Sequence, residues 1–258
     1  MALWRRNGTL TDAQEAVVAE RLAEWPRLDD DEQGRLLAIT AYLAGRFRWD
    51  AARDFQVDDT MRATIAAHAA LPILELGVGA YRKVRTVIVH RATIVRQGTR
   101  PGPAGTIRQG TVRLAGEAVP HGPVLLSWAD VHTDARRPKR GRNVVIHEFA
   151  HQIDALDGQL DGLPPSRDTA WTEAWLALLE NNRAPVPAGA DGEAERPSPL
   201  RDYARENDAE YFAVATETFF TTPVTLRERA PDLYDLLVSF YLQDPAARAD
   251  RAAATASS

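Results

Sequence analysis

The 258-residue sequence contains no cysteine. That excludes disulfide frameworks, thiolate metal sites and cysteine nucleophiles, so any bound metal must rest on His, Asp or Glu. Long apolar runs are missing as well. Stretches such as 69–74 and 124–126 fall far short of the ~20 residues of a membrane helix. Positive charge is not in surplus: 31 Lys and Arg stand against 36 Asp and Glu, a formal net charge of -5. No overall basic field exists to grip a phosphate backbone, and direct nucleic-acid binding is not expected. The N-terminal segment is basic and then acidic and amphipathic, without the apolar core of a secretory signal, so a cytoplasmic, membrane-free protein is expected. What remains is an ordinary globular composition, 45% hydrophobic and 26% charged, in a chain about one and a half times the length of a typical domain.

Hydrophobic periodicity divides the chain. Residues 11–76 carry Leu22, Leu36, Leu37, Ile39, Leu43, Phe47 and Ile65 at helical spacing, with acidic starts at 29–32 and 58–59, which predicts three helices. Residues 86–90, 92–96, 111–114 and 124–128 are rich in β-branched or aliphatic residues and read as strands of one small mixed sheet. Gly and Pro mark 97–110 and 184–199 as long loops, placed to cover a cleft and regulate access to it. Helical spacing returns at 143–156, ending near Asp157-Gly158, and again at about 168–181, 207–220 and 231–242. The Ala-rich tail 246–258 is expected to fray. The expected organisation is α+β: a helical part, 1–75, packed on a catalytic core, 76–245, with a flexible tail, in a monomeric chain.

The chemistry concentrates in Asn143-Val-Val-Ile-His147-Glu148-Phe-Ala-His151-Gln-Ile-Asp154, an H-E-x-x-H motif inside an apolar helical pattern. At ~100° per residue the two histidines lie about 40° apart, one turn from each other, so both imidazoles reach one metal ion. Glu148 sits on the flank of that face, where a carboxylate serves as general base toward a metal-bound water without being a ligand. Val145, Phe149, Ile153 and Leu156 gather on the opposite face and anchor the helix in the core. Chance produces this motif in roughly 1 such chain in 100. Two imidazoles leave a catalytic ion one protein ligand short, and a carboxylate from a later helix is the natural third. Glu210 and Glu217, seven residues apart on one helix face, are both candidates on spacing alone.

Other groups carry less. Asp154 lies about 20° from His147 on the helical wheel and is expected either to orient an imidazole or to cap a neighbouring helix. The basic run Arg136, Arg137, Lys139, Arg140 and Arg142 reads first as solvated surface and second as an attractor of acidic substrate segments. His68, His90, His121 and His132 lack ligand spacing and read as structural or surface residues.

The strings NVVIHEFAHQIDALDG, YARENDAEYFAV followed by ETFF, and GPVLLSWADV resemble the Mlc titration factor A family of bacterial zinc peptidases. That family is similar in its active-site motif to the catalytic domain of anthrax lethal factor. The resemblance covers roughly residues 70 to 240, and three separated segments agree in order. It implies a zincin-like, gluzincin-type fold, one Zn2+ per chain held by His147, His151 and Glu210, Glu148 as base and acid, and Tyr203, seven residues before the glutamate, facing the site. A phenol there donates a hydrogen bond to a developing oxyanion. The implied activity is hydrolysis of a peptide or protein substrate, with endopeptidase and aminopeptidase action both open. Residues 124–128 look like the sheet edge on which an extended substrate adds as an antiparallel strand. A family member also binds a glucose-responsive transcriptional repressor, so the competing expectation is a zinc-containing regulatory protein with little or no hydrolysis.

Overall fold

The computed structural model describes residues 8–51, 55–92, 94–101, 107–114, 122–183 and 198–256. The three helices expected near the N-terminus are α1 (Asp12–Arg21), α2 (Asp30–Arg46) and α3 (Asp59–Ala70). Their starts are chemically determined. Thr11 with Gln14, and Asp29 with Glu32, form reciprocal capping boxes, and the Asp58 side chain accepts the Met61 N–H.

Between α2 and α3 the chain makes an unexpected strand, β1 (Arg48–Ala51). It pairs in parallel with β2 (Thr86–His90), which pairs in parallel with β5 (Val124–Ser127), giving the order β1-β2-β5. The sheet is therefore parallel throughout rather than mixed, and the segment read as wholly helical supplies one edge. The strands expected around 92–96 and 111–114 belong to a separate antiparallel ribbon, β3 (Ile94–Pro101) and β4 (Ile107–Leu114). Most of the supposed loop 97–110 is thus strand. Its breakers sit where a ribbon tolerates them, Gly98 opposite Gly110 and Pro101 at the end of its strand. The turn, 102–106, and the greater part of the second expected loop, 184–197, lie outside the described residues.

The later helices are α4 (Trp128–Arg136), α5 (Val144–Asp154), α6 (Thr169–Arg183), α7 (Asp208–Thr221), α8 (Pro223–Arg229), α9 (Pro231–Tyr241) and α10 (Pro245–Ala256). Helices α5, α6, α7 and α9 match the expected segments; α4 and α8 are short and were masked in the sequence by a preceding strand and a proline. The tail corrects its expectation: α10 is an ordered helix. Ala246 is fully buried, and Arg248 pairs with Glu32 of α2 at 2.7 Å and donates to Gln243 at 2.9 Å. Among the described residues no helix is long and apolar enough to cross a membrane.

At the centre lies α5, which packs on α3, α4, α7 and β5. Every one of its residues is buried, so it is a core helix rather than the amphipathic one its sequence predicts. Phe149 seats it, with ring centroids 4.9 Å from Tyr81 and 5.7 Å from Phe47. Gly162 ties the end of α5 to α6 and lies against the start of α7. The Gly162 N–H donates to Asp154 Oδ2 at 2.9 Å, and its carbonyl accepts Trp175 Nε1–H at 2.7 Å. With φ at +79°, and a Cβ there falling 2.2 Å from the Asp208 carbonyl oxygen, only glycine fits this crossing.

Candidate metal centre

Both helices that carry the candidate ligands begin with an asparagine cap. Asn143 Oδ1 accepts the Ile146 N–H at 3.1 Å, and Asn207 Oδ1 accepts the Glu210 N–H at 2.9 Å. These caps fix the first turn of each helix, and so the direction in which His147 and Glu210 leave the backbone. Two further orphan donors at the start of α5 go to carboxylates: the Val144 N–H to Asp134 Oδ2 at 3.0 Å and the Asn143 N–H to Glu217 Oε1 at 2.6 Å. Negative charge at that end also suits the helix dipole.

Across this contact His147, His151 and Glu210 come together. Glu210 Oε2 lies 3.1 Å from His147 Nε2 and 3.6 Å from His151 Nε2, and the two imidazole rings stand at 90° with centroids 4.9 Å apart. These three ligand atoms lie within 4.8 Å of one another, an arrangement that could hold a metal ion. A tetrahedral ion with bonds of ~2.0–2.1 Å separates its ligand atoms by roughly 3.3 Å, which the two carboxylate–imidazole distances bracket. Glu210 Oε2 is buried yet receives no aligned N–H, the condition of an oxygen directed at a common point rather than at either ring. The donor set, two imidazoles and one carboxylate with no sulfur, fits a divalent ion of intermediate hardness.

The electrostatics agree. Burial opposes a charged His147, but the facing carboxylates of Glu210 and Glu217 outweigh it and push its pKa up to about 10. Burial pulls His151 down, the positive charge of its neighbour adding to the effect against the attraction of Glu210. Glu210 itself is held well below the usual carboxylate range, the two imidazoles overcoming the cost of its burial. Carboxylate charge in a nearly closed pocket is compensated by a proton on an imidazole, and a divalent cation meets the same demand better.

Glu148 is buried on α5 between the two histidines and adds its charge to the field at His147. Tyr203 stands in the 3-10 turn Asp202–Arg205, its hydroxyl donating to Glu210 Oε1 at 3.1 Å and its ring centroid 6.0 Å from that of His147. At 37% exposure it is the open member of the group. Burial raises its pKa and the nearby Glu210 carboxylate adds to that, so the phenol stays a donor.

Glu217 resolves differently from Glu210. It faces the other nitrogen of His147, Oε2 lying 3.5 Å from Nδ1, long for a hydrogen bond but close enough for its charge to act on the ring. Asp154, expected to orient an imidazole or cap a helix, does neither; it binds the loop at Gly162, and burial pushes its pKa up to about 7. The described arginines of the basic run, Arg136, Arg137, Arg140 and Arg142, are exposed.

His68 has a structural role that its spacing did not reveal. It is buried in α3 with Nδ1 2.7 Å from Asn143 Nδ2, and because Asn143 Oδ1 is already an acceptor, the amide donates and Nδ1 must be unprotonated. Burial brings its pKa down to about 4, the nearby Arg21 backbone acting in the opposite sense. Above pH 6.5 the ring is neutral in both folded and unfolded chains; as pH falls toward 4 the unfolded chain takes up a proton that the folded chain refuses, and stability is lost. The full loss is at most about 3 kcal/mol. In chelated, metal-free protein the melting temperature is therefore expected to fall more steeply between pH 6.5 and 4 for wild type than for His68→Gln; parallel curves would remove His68 as the cause.

Comparison with known proteins shows the family. The family model described as glucose-regulated metallo-peptidase M90 matches residues 2–242. The chain is 33% identical over 225 residues to Mlc titration factor A of Edwardsiella ictaluri, covering 86% of this chain and 84% of that one. It is 32% identical over 243 residues to the protein of that name from Pectobacterium atrosepticum, covering 93% and 89%. With the one from an Enterobacter species it shares 31% over 252 residues, covering 95% and 92%.

Proposed function

The chain belongs to the glucose-regulated metallo-peptidase M90 family, and from that premise we propose that it is a zinc-dependent peptidase with a zincin-like fold. In this reading His147, His151 and Glu210 hold one zinc ion, Glu148 is the general base, and Tyr203 steadies the oxyanion. The observation that carries it is the convergence of two imidazole nitrogens and one carboxylate oxygen in a buried site, with a further carboxylate, Glu148, between the histidines on the same helix. We also keep residues 76–245 as the catalytic core and 1–75 as the part packed on it, with β1 reaching across.

A zinc ion held by His147, His151 and Glu210 would supply Lewis acidity toward the scissile carbonyl and toward the attacking water. Glu148 accepts the proton of that water and passes a proton on to the leaving amine nitrogen. Tyr203, released from Glu210 Oε1, turns its O–H toward the oxygen of the former carbonyl, its open position leaving room for substrate. The burial of both histidines limits competing water around the reacting atoms. Strand β5 ends the strand order beside α5 and offers an edge on which an extended peptide adds by main-chain hydrogen bonds.

The name shared by the relatives favours a second reading: a regulatory protein that binds an Mlc-type transcriptional repressor and hydrolyses little or nothing. A mixed fluorogenic peptide library separates the two. Zinc-loaded protein is expected to turn over part of the library, chelated protein none, and re-added zinc is expected to restore the rate. Silence from protein carrying one zinc per chain would overturn the peptidase reading, and complex formation with the repressor would then support the other.

A further inference from the structure

Glu217 is 1% exposed, and its carboxylate is held from two sides. Oε1 takes the Asn143 N–H at 2.6 Å, and Oε2 takes the Nη2–H of Arg201 in a short ion pair. The oxygen that binds Arg201 is the one that faces His147 Nδ1. Arg201 thus fixes the group that faces a candidate ligand.

Arg201 also begins the turn that carries Tyr203. Its carbonyl accepts the Ala204 N–H at 2.9 Å, closing the turn, and the Ala204 carbonyl accepts Asn182 Nδ2–H at 3.1 Å. The stretch 201–205 thus rests on the site through its two side chains, Arg201 on Glu217 and Tyr203 on Glu210, two turns apart along α7. The Arg201 side chain is one-third exposed, whereas the carboxylate that it grips is closed off.

We infer that Arg201 is a positioning residue of the hydrolytic site: through Glu217 it keeps the His147 imidazole and the Tyr203 phenol in register with each other. Two effects combine. A carboxylate fixed by a guanidinium and a backbone N–H has one orientation to offer the ring, and its charge on the Nδ1 side, 3.5 Å away, favours the ring orientation that presents Nε2 to the metal. The same guanidinium pins the backbone two residues before the phenol, where a displacement of about 1 Å would take the O–H out of reach of a developing oxyanion. The catalytic half of this inference rests on the peptidase reading; the metal half does not.

The test compares Arg201→Ala and Arg201→Lys with wild type. Zinc affinity is measured by competition with a chromophoric chelator, and the visible spectrum of the cobalt-substituted protein reports ligand geometry. Arg201→Ala is expected to weaken metal binding about 10-fold or more and to shift the cobalt bands, with Arg201→Lys returning most of the affinity. On a peptide substrate, kcat is expected to fall about 10-fold in Arg201→Ala with KM nearly unchanged. That loss should be less than additive with the loss in Tyr203→Phe. Should the alanine variant fail to fold, Arg201→Gln takes its place as the neutral substitution. Wild-type metal affinity and an unchanged cobalt spectrum in the folded neutral variant would overturn the inference. If wild type hydrolyses nothing, the peptidase reading falls while the metal measurements still decide the role of Arg201.

Discussion

Zinc-loaded Glu148→Gln is expected to keep its fold and its metal and to lose peptide hydrolysis by roughly 10²–10⁴-fold. The substitution is close to isosteric at a buried position of a fully buried helix, so packing around α5 changes little. Neither His147 nor His151 is altered, and the carboxylate removed is not among the three groups that converge on the metal position. An amide has no basic oxygen to accept the water's proton, so a variant with full metal content and no turnover isolates proton transfer from metal binding. The comparison is made at matched zinc content with kcat as the readout. Hydrolysis near the wild-type rate would exclude Glu148 from the mechanism and move the search for a base elsewhere in the site.

The second large effect concerns the two glutamates of α7. Glu210→Ala deletes an oxygen that lies 3.1 and 3.6 Å from the two candidate ligand nitrogens, so a bound ion would keep only two of its three proposed protein ligands. Glu217→Gln leaves the ligand set whole and alters only what faces Nδ1 of His147, 3.5 Å away. Loss of an outer partner typically weakens metal binding by about 10–100-fold, and loss of the direct ligand is expected to exceed that clearly. Zinc dissociation constants measured by chelator competition on the two variants decide the matter. Equal losses would overturn the assignment of Glu210 as the ligand.

That pair also marks how far the sequence alone could be read. The helix bearing the two histidines was legible because its signal is short-range: a one-turn spacing and apolar neighbours within a dozen residues. Glu210 and Glu217 were not separable, because seven residues return to the same helix face, and only the crossing of α5 and α7 sets one against Nε2 and the other against Nδ1 of His147. Asp154 drew attention through its wheel angle to His147, but its carboxylate lies at the far end of α5, against Gly162. His68 seemed inert for the opposite reason, since its one notable partner, Asn143, is 75 residues away.

The elements that escaped notice share a physical cause. Strand β1 is four residues long with Arg48 and Asp50 in it, so its composition resembles a turn, and only pairing with β2 makes it a strand. Gly and Pro disguised the β3–β4 ribbon as a loop because such residues are weak evidence against a two-stranded element. Helix α10 looked like a frayed tail because alanine carries little hydrophobic pattern. Its place is fixed by Ala246 and by the Arg248 ion pair with Glu32.

That ion pair has a meaning for the order in which the protein is made. Glu32 sits in the first turn of α2, where it already completes a capping box with Asp29, and its cationic partner lies 216 residues further on. In the order of synthesis the segment holding the three candidate metal ligands, 147–210, is made before Arg248. The residues of the α5–α7 crossing are thus all in place along the chain while α2 still lacks the helix that pairs with its start. A chain that ends after α7 but before α10 would then carry all three candidate ligands while lacking the contact that joins the two ends of the fold.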